Sequence, residues 1–200
     1  MQKIFIVIFI FLVCSLQAQK FGSRSRYEKR WAIFHPIVAL KVKKIYKKCL
    51  PLYNFIKKDR VLDTCENGGK LDAFRHVFFM AAFAQKIKVK KVRKLGIAHE
   101  KGNYADFLKG INEQGELPDS LSSVMDLYNN ELGLKIGSAN KKTDLRDLRD
   151  ILTEEIKKGS AVYFKRNLNG QYQTCSGEII VLSHYKMKWF IPKCLIKTNE

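Results

Sequence analysis

Lys70-Leu71-Asp72-Ala73-Phe74-Arg75-His76-Val77-Phe78-Phe79-Met80-Ala81-Ala82-Phe83-Ala84-Gln85-Lys86 is the stretch on which the fold turns. From Val77 to Ala84 every position is apolar. A surface helix carries one apolar stripe, whereas a helix apolar on every side is buried all round. The segment therefore reads as the central helix of a mainly α-helical domain, with the other elements packed around it. Its first turns also carry Asp72, Arg75 and His76 toward the interior, and Asp72 and His76, four residues apart, share a face.

Working toward the N-terminus, Pro36 to Lys48 reads as a helix. It bears Ile37, Val38, Leu40, Val42 and Ile45 and opens on a proline, which suits the first helical turn. Pro51 is read as its end, followed by a short turn or helix through Lys58 and a break at Asn67-Gly68-Gly69. Working toward the C-terminus, Val89 to His99 places Val89, Val92, Leu95 and His99 on one stripe. Gly102 to Asp119 reads as a loop with at most one short turn, and Ser120 or Ser122 then caps a helix through Gly137. A charged helix from Thr143 to Lys158 buries Leu145, Leu148, Ile151, Leu152 and Ile156 and stops at Gly159. Beyond it the period changes. Ala161 to Lys165 and Tyr172 to Cys175 flank Asn167-Leu168-Asn169-Gly170 as a hairpin, with Glu178 to Leu182 and Lys188 to Ile191 as further short strands. The expected architecture is thus mainly α, a compact helical domain around a central buried helix, with a small C-terminal β-hairpin or short sheet.

The start of the chain has a different character. Lys3 precedes the ten-residue apolar run Ile4 to Val13, and small or polar residues follow. That is the layout of a cleavable secretion signal, too short to span a bilayer, with a cut expected after Ala18. Cys14 suggests a lipoprotein anchor instead, against which stands Val13 where lipid attachment wants a small residue. The segments are then 1–18, signal; 19–35, polar lead-in; 36–165, helical domain; and 166–200, short β element. No stretch beyond the signal is long and apolar enough to cross a membrane, and the expected location is periplasmic or extracellular.

Losing residues 1–18 removes one Lys and no acid, which takes the net charge from +18 to +17. A single basic domain of this kind stays soluble and is drawn to anionic partners: envelope polymers, phospholipid headgroups or nucleic acid. The lysines are nevertheless dispersed through Lys41–Lys48, Lys86–Lys94 and Lys141–Lys158, as solvated helix faces also require. Cys49, Cys65, Cys175 and Cys194 remain after cleavage, so two disulfides are expected in an oxidising compartment, with a Cys49–Cys65 link one of the pairings. No Cys-x-x-Cys pair is present to suggest a thiolate zinc or redox centre.

Three polar clusters fall where periodicity predicts burial. The first is Asp72, Arg75 and His76, and the second is His99 with Glu100. The third lies in Met125-Asp126-Leu127-Tyr128-Asn129-Asn130-Glu131-Leu132-Gly133, where Asp126, Asn130, Gly133 and Gly137 form one stripe. Glycines on such a stripe let another backbone or a ligand come close. Ionisable groups in a core are unfavourable unless they pair or coordinate, so the three clusters are expected to meet. Together Asp72, Arg75, His76, His99, Glu100, Asp126 and Asn130 match the needs of a hydrolytic site: an imidazole base, a carboxylate to orient it, a guanidinium for an anionic oxygen and an amide. His76, His99 and Asp126 are also candidate ligands for a divalent metal. Each residue taken alone also reads as a satisfied core contact. His35 and His184 lack such company, and no mechanism-bearing short motif occurs.

Asp72-Ala73-Phe74-Arg75-His76, Ala98-His99-Glu100 and Met125-Asp126-Leu127-Tyr128-Asn129-Asn130-Glu131-Leu132-Gly133 together resemble an uncharacterised bacterial domain family. Its spaced pattern is Asp-Ala-x-Arg-His, Ala-His-Glu and Met-Asp-Leu-x-Asn-Asn-x-x-Gly. The resemblance spans about residues 36 to 165 and implies one shared site without naming a substrate. Where the family places Tyr or Trp soon after the histidine, this chain has Phe78 and Phe79. The leading expectation is an exported hydrolase of an envelope component. The alternatives are a non-enzymatic envelope protein with a buried polar network, and a secreted nuclease or toxin-like effector. The oligomeric state is left open by the sequence.

Overall fold

A computed structural model describes residues 24–112 and 116–200. The expected signal at residues 1–18 and Cys14 lie outside the described residues. Among the described residues, six helices precede a short β element: α1 Arg26–Phe34, α2 Pro36–Asp59, α3 Lys70–Lys86, α4 Val89–Phe107, α5 Ser120–Ala139 and α6 Leu145–Lys157. Two strands follow, β1 Val162–Phe164 and β2 Leu195–Lys197, with a 3₁₀ turn at Leu182–Tyr185 between them. As the unbroken apolar run requires, α3 is the hub. Phe74, Val77, Phe78, Ala81 and Ala82 are buried in one core with Met125 of α5, Leu148, Leu152 and Ile156 of α6, and Phe164 of β1. At its far end Met80, Phe83 and Ala84 form a second cluster with Val92 of α4 and Leu134 of α5. Gln85 ends the helix by donating to the carbonyls of Asn140 (2.7 Å) and Thr143 (2.9 Å), which ties down the α5–α6 turn.

The most intimate pairing is α3 against α5. A Cβ on Gly133 would strike the Val77 carbonyl oxygen, and one on Gly137 the Ala81 carbonyl oxygen, so the two backbones are in direct contact along that glycine stripe. This is the close approach that the spacing of the glycines predicts, and it fixes Asp126 and Asn130 of α5 opposite His76 of α3.

Several boundaries differ from expectation, each for a tertiary reason. The lead-in holds a helix, α1, opened by a capping box in which the Ser25 side chain accepts from the Glu28 N–H and Glu28 from the Ser25 N–H. Pro51 does not end α2, which continues to Asp59. Cys49, Tyr53 and Ile56 are all buried on one stripe across the proline, and that packing outweighs the lost hydrogen bond. Likewise α4 runs past Gly102 to Phe107. Gly102 lets Ser25 approach, and Tyr104 and Phe107 meet the Trp189 ring at centroid distances of 4.8 and 4.9 Å. The cap of α5 is Asp119 rather than Ser120 or Ser122, with Oδ1 accepting from the N–H groups of Leu121 (2.9 Å) and Ser122 (3.1 Å).

The β element is a two-stranded antiparallel sheet with register Val162↔Lys197, Tyr163↔Ile196 and Phe164↔Leu195. The expected hairpin survives as a tight turn closed by one bridge, Arg166↔Tyr172. Strand β1 takes its partner from the chain end because Cys194 is held between the two arms. Lys165 N–H donates to Cys194 O (2.9 Å), Cys194 N–H donates to Gln173 O (2.9 Å), and a disulfide joins Cys175 to Cys194. Lys188–Ile191 forms no strand, and Glu178–Leu182 contributes a single bridge at Ile179. The Cys49–Cys65 link is absent and both thiols are free. Cys49 is fully buried in the α2–α3 core, where burial pushes its thiol up to about 12. Cys65 instead donates to the Asn67 carbonyl at 3.0 Å.

Candidate functional site

The site begins with the turn before α3. Gly68 adopts a left-handed φ of 71°, and its N–H donates to Asp72 Oδ2 at 2.7 Å. Arg75, one turn on, lays its guanidinium against the other carboxylate oxygen, with Nε and Nη2 at 3.0 and 2.6 Å from Asp72 Oδ1. His76 then stands between α3 and α5. Its Nδ1 lies 3.2 Å from Asn130 Oδ1. Its Nε2 lies 3.1 Å from Asp126 Oδ1, 3.5 Å from Asp72 Oδ1 and 3.2 Å from Arg75 Nη2. Asn130 is itself pressed against Gly96 of α4, where a Cβ would come within 3.1 Å of its amide nitrogen. Five of the seven expected residues, Asp72, Arg75, His76, Asp126 and Asn130, thus form one cluster.

The other two approach from α4 and are held by different partners. His99 is half-buried and faces Glu28 of α1 at 3.6 Å. Glu100 is buried and accepts from Asn103 Nδ2 at 3.3 Å. Among the described residues, the group whose donor atoms can share one cation is therefore Asp72, His76 and Asp126, all within 4.8 Å of one another, and not His76, His99 and Asp126. His99 sits on the α4 stripe as its spacing indicates, but it pairs with Glu28 of α1. Its charge is still felt by His76.

Burial sets the electrostatics. It is the main cause that holds the His76 imidazole well below its ordinary value, reinforced by the Arg75 and His99 charges, so the ring is neutral at neutral pH. Burial also raises Asp72, against the opposing pull of Arg75 and the Gly68 N–H. Glu28 behaves oppositely. Burial alone would raise it, yet the His99 hydrogen bond and charge and the Ser25 contacts lower it to about 2.

Asp72, Arg75 and Asp126 line a small pocket together with Gly68, Glu116, Ser122 and Phe164. Glu116 in that lining belongs to a second polar network, which the sequence did not reveal. Lys193 is buried, with Nζ 2.7 Å from Asp119 Oδ2 and 4.1 Å from the Tyr172 ring centre. Tyr172 donates to Glu116 Oε2 at 2.9 Å and accepts from Arg166 Nη2 at 2.6 Å. Two signals were visible: Ser25-x-x-Glu28 has capping-box spacing, and Asp119 precedes a helix start. Nothing in the local sequence marks Lys193 as buried.

Between residues 29 and 160 the chain matches a family model described as a domain of unknown function, DUF6973. The chain belongs to that family. The match contains the whole of the His76 cluster and most of α1, and it stops just before β1. The Cys175–Cys194 disulfide and the buried Lys193 therefore lie outside the DUF6973 region. No curated protein and no solved structure matches the chain.

Proposed function

We propose that this DUF6973 protein is an exported hydrolase of a cell-envelope component, working through a divalent cation held by Asp72, His76 and Asp126. The observation that carries the reading is the spacing of the donors. Tetrahedral ligands about 2.1 Å from a metal are about 3.4 Å apart, and His76 Nε2 stands 3.1 and 3.5 Å from the two carboxylate oxygens. A neutral imidazole is the form that ligates. With Nδ1–H donating to Asn130 Oδ1, the ring presents its Nε2 lone pair to the two carboxylates, the arrangement by which outer partners orient a metal-bound histidine. A cation there faces the pocket, where it would activate water, and Arg75, whose side chain is 25 % exposed, is placed to hold an anionic oxygen of the substrate. Arg75 Nη2 lies 3.2 Å from Nε2, so it would have to give up that contact for a cation to be held there. Export is supported by the Cys175–Cys194 disulfide, and attraction to the envelope by the basic surface.

A second reading, a purely structural network, draws on the Arg75 fork and the Gly68 N–H, which already satisfy Asp72. Calorimetric titration of chelator-treated protein with zinc, manganese, magnesium and calcium, in parent and Asp126→Asn forms, separates the two. The hydrolase reading expects one equivalent bound by the parent and none by D126N. The structural reading expects no binding and a less stable D126N.

A further inference from the structure

The longest stretch of sequence without an acidic residue lies away from the site, along α1 and α2. From residue 29 to residue 58 there are nine Lys and Arg residues and no Asp or Glu, half of the chain's net +18. At the corner where α1 passes to α2, four large apolar side chains face solvent. Ile33, Phe34, Ile37 and Leu40 are 68, 69, 71 and 67 % exposed. Leu40 continues into exposed Lys41, Lys44, Lys47 and Lys48 on the same helix face. The corner is tied to α4. Trp31 donates from its indole to the Lys91 carbonyl (3.1 Å), and His35 stacks on Trp31 with ring centres 5.4 Å apart. Arg30 extends over the Phe34 ring at 5.8 Å.

We infer that this corner docks on an anionic phospholipid surface, with Ile33, Phe34, Ile37 and Leu40 entering the headgroup–acyl boundary and the lysines of α2 resting on lipid phosphates. Apolar residues grouped at one end of a basic face are the signature of an interfacial element. The alternatives fit less well. Nucleic acid and charged wall polymers offer phosphates but no apolar phase to receive four exposed aliphatic and aromatic side chains. A second copy of the chain would bring two strongly positive faces together. The inference is independent of the hydrolase proposal, since none of these residues touches the His76 cluster. If both hold, the enzyme works at a lipid surface.

The test is co-sedimentation of the chain from Gln19 onward with vesicles of phosphatidylcholine alone and with about 30 % phosphatidylglycerol, at low and high salt. Two variants accompany it, Phe34→Ser/Ile37→Ser/Leu40→Ser and Lys41→Gln/Lys44→Gln/Lys48→Gln. All of these positions are exposed, so unchanged circular dichroism melts are expected. The parent is expected to bind the anionic vesicles only, and to weaken at least tenfold in high salt or in the lysine variant. The apolar variant is expected to weaken by more than tenfold, since burying each large apolar side chain is worth about a factor of ten. No vesicle binding by the parent, equal binding by the apolar variant, or tighter binding to duplex DNA or RNA than to vesicles would each overturn the proposal. So would dimerisation of the parent that the apolar variant abolishes.

Discussion

Replacing Gly137 by Ala tests the contact that positions the site. On an exposed helix this change is stabilising by about 1 kcal/mol, because alanine restricts the unfolded chain. Here the new Cβ would lie 2.5 Å from Ala81 Cα and 2.6 Å from its carbonyl carbon. Ordinary contact begins near 3.4 Å, so α5 must retreat from α3 by about 1 Å. These are backbone atoms of two packed helices, and no side-chain rotation can relieve the overlap. A gap of about that size forfeits a quarter to a half of the dispersion well between facing atoms along the interface. With overpacking at about 1–3 kcal/mol and further loss of helix–helix contact, the net expectation is destabilisation of about 3 kcal/mol. For a domain of this size that is a fall in Tm of about 6–12 °C. Urea and thermal unfolding of parent and variant measure it. A variant as stable as the parent, or more so, would refute the backbone contact and with it the placement of Asn130 opposite His76.

Two further outcomes follow from the same structure. Cys175→Ser/Cys194→Ser opens a closure of 19 residues, for which the chain-entropy argument gives about 3 kcal/mol; a comparable loss should appear in denaturant unfolding and in the parent treated with reductant. Glu28→Gln removes the charge that faces His99 while keeping the helix cap. Because Glu28 is depressed to about 2 from an ordinary 4.5, its contribution is fully present above about pH 4.5 and lost as the pH falls toward 2. The variant should be less stable than the parent by on the order of 2 kcal/mol at pH 6, after discounting for the partly exposed His99, and indistinguishable from it near pH 2. A gap that does not depend on pH would contradict the pairing.

The hub of the fold was legible because Val77 to Ala84 leaves no polar side to face water, and the α3–α5 pairing because Gly133 and Gly137 fall on the stripe of Asp126 and Asn130. What escaped depends on distant partners. Pro51 and Gly102 are local helix breakers, and only the burial of Tyr53 and Ile56, or the arrival of Ser25 and Trp189, carries the helices past them. The disulfide was open for a similar reason, since four cysteines allow several pairings and the positions of Gln173 and Lys165 around Cys194 select one. In the site, periodicity put His99 and Glu100 on α4 but joined them to the cluster, whereas their partners are Glu28 and Asn103. It could not reveal that Glu28, in a segment read as a polar lead-in, is the residue that faces His99, nor that Asp72 takes its place among the candidate ligands.

The cation site is tested by the metal content of the chain from Gln19 onward, purified without chelators and compared with His76→Ala. Close to one equivalent of a divalent metal is expected in the parent and none in H76A, with added metal raising the Tm of the parent alone. No metal on purification and no Tm response to zinc, manganese, magnesium or calcium would contradict it and leave Asp72, His76 and Asp126 as a structural network.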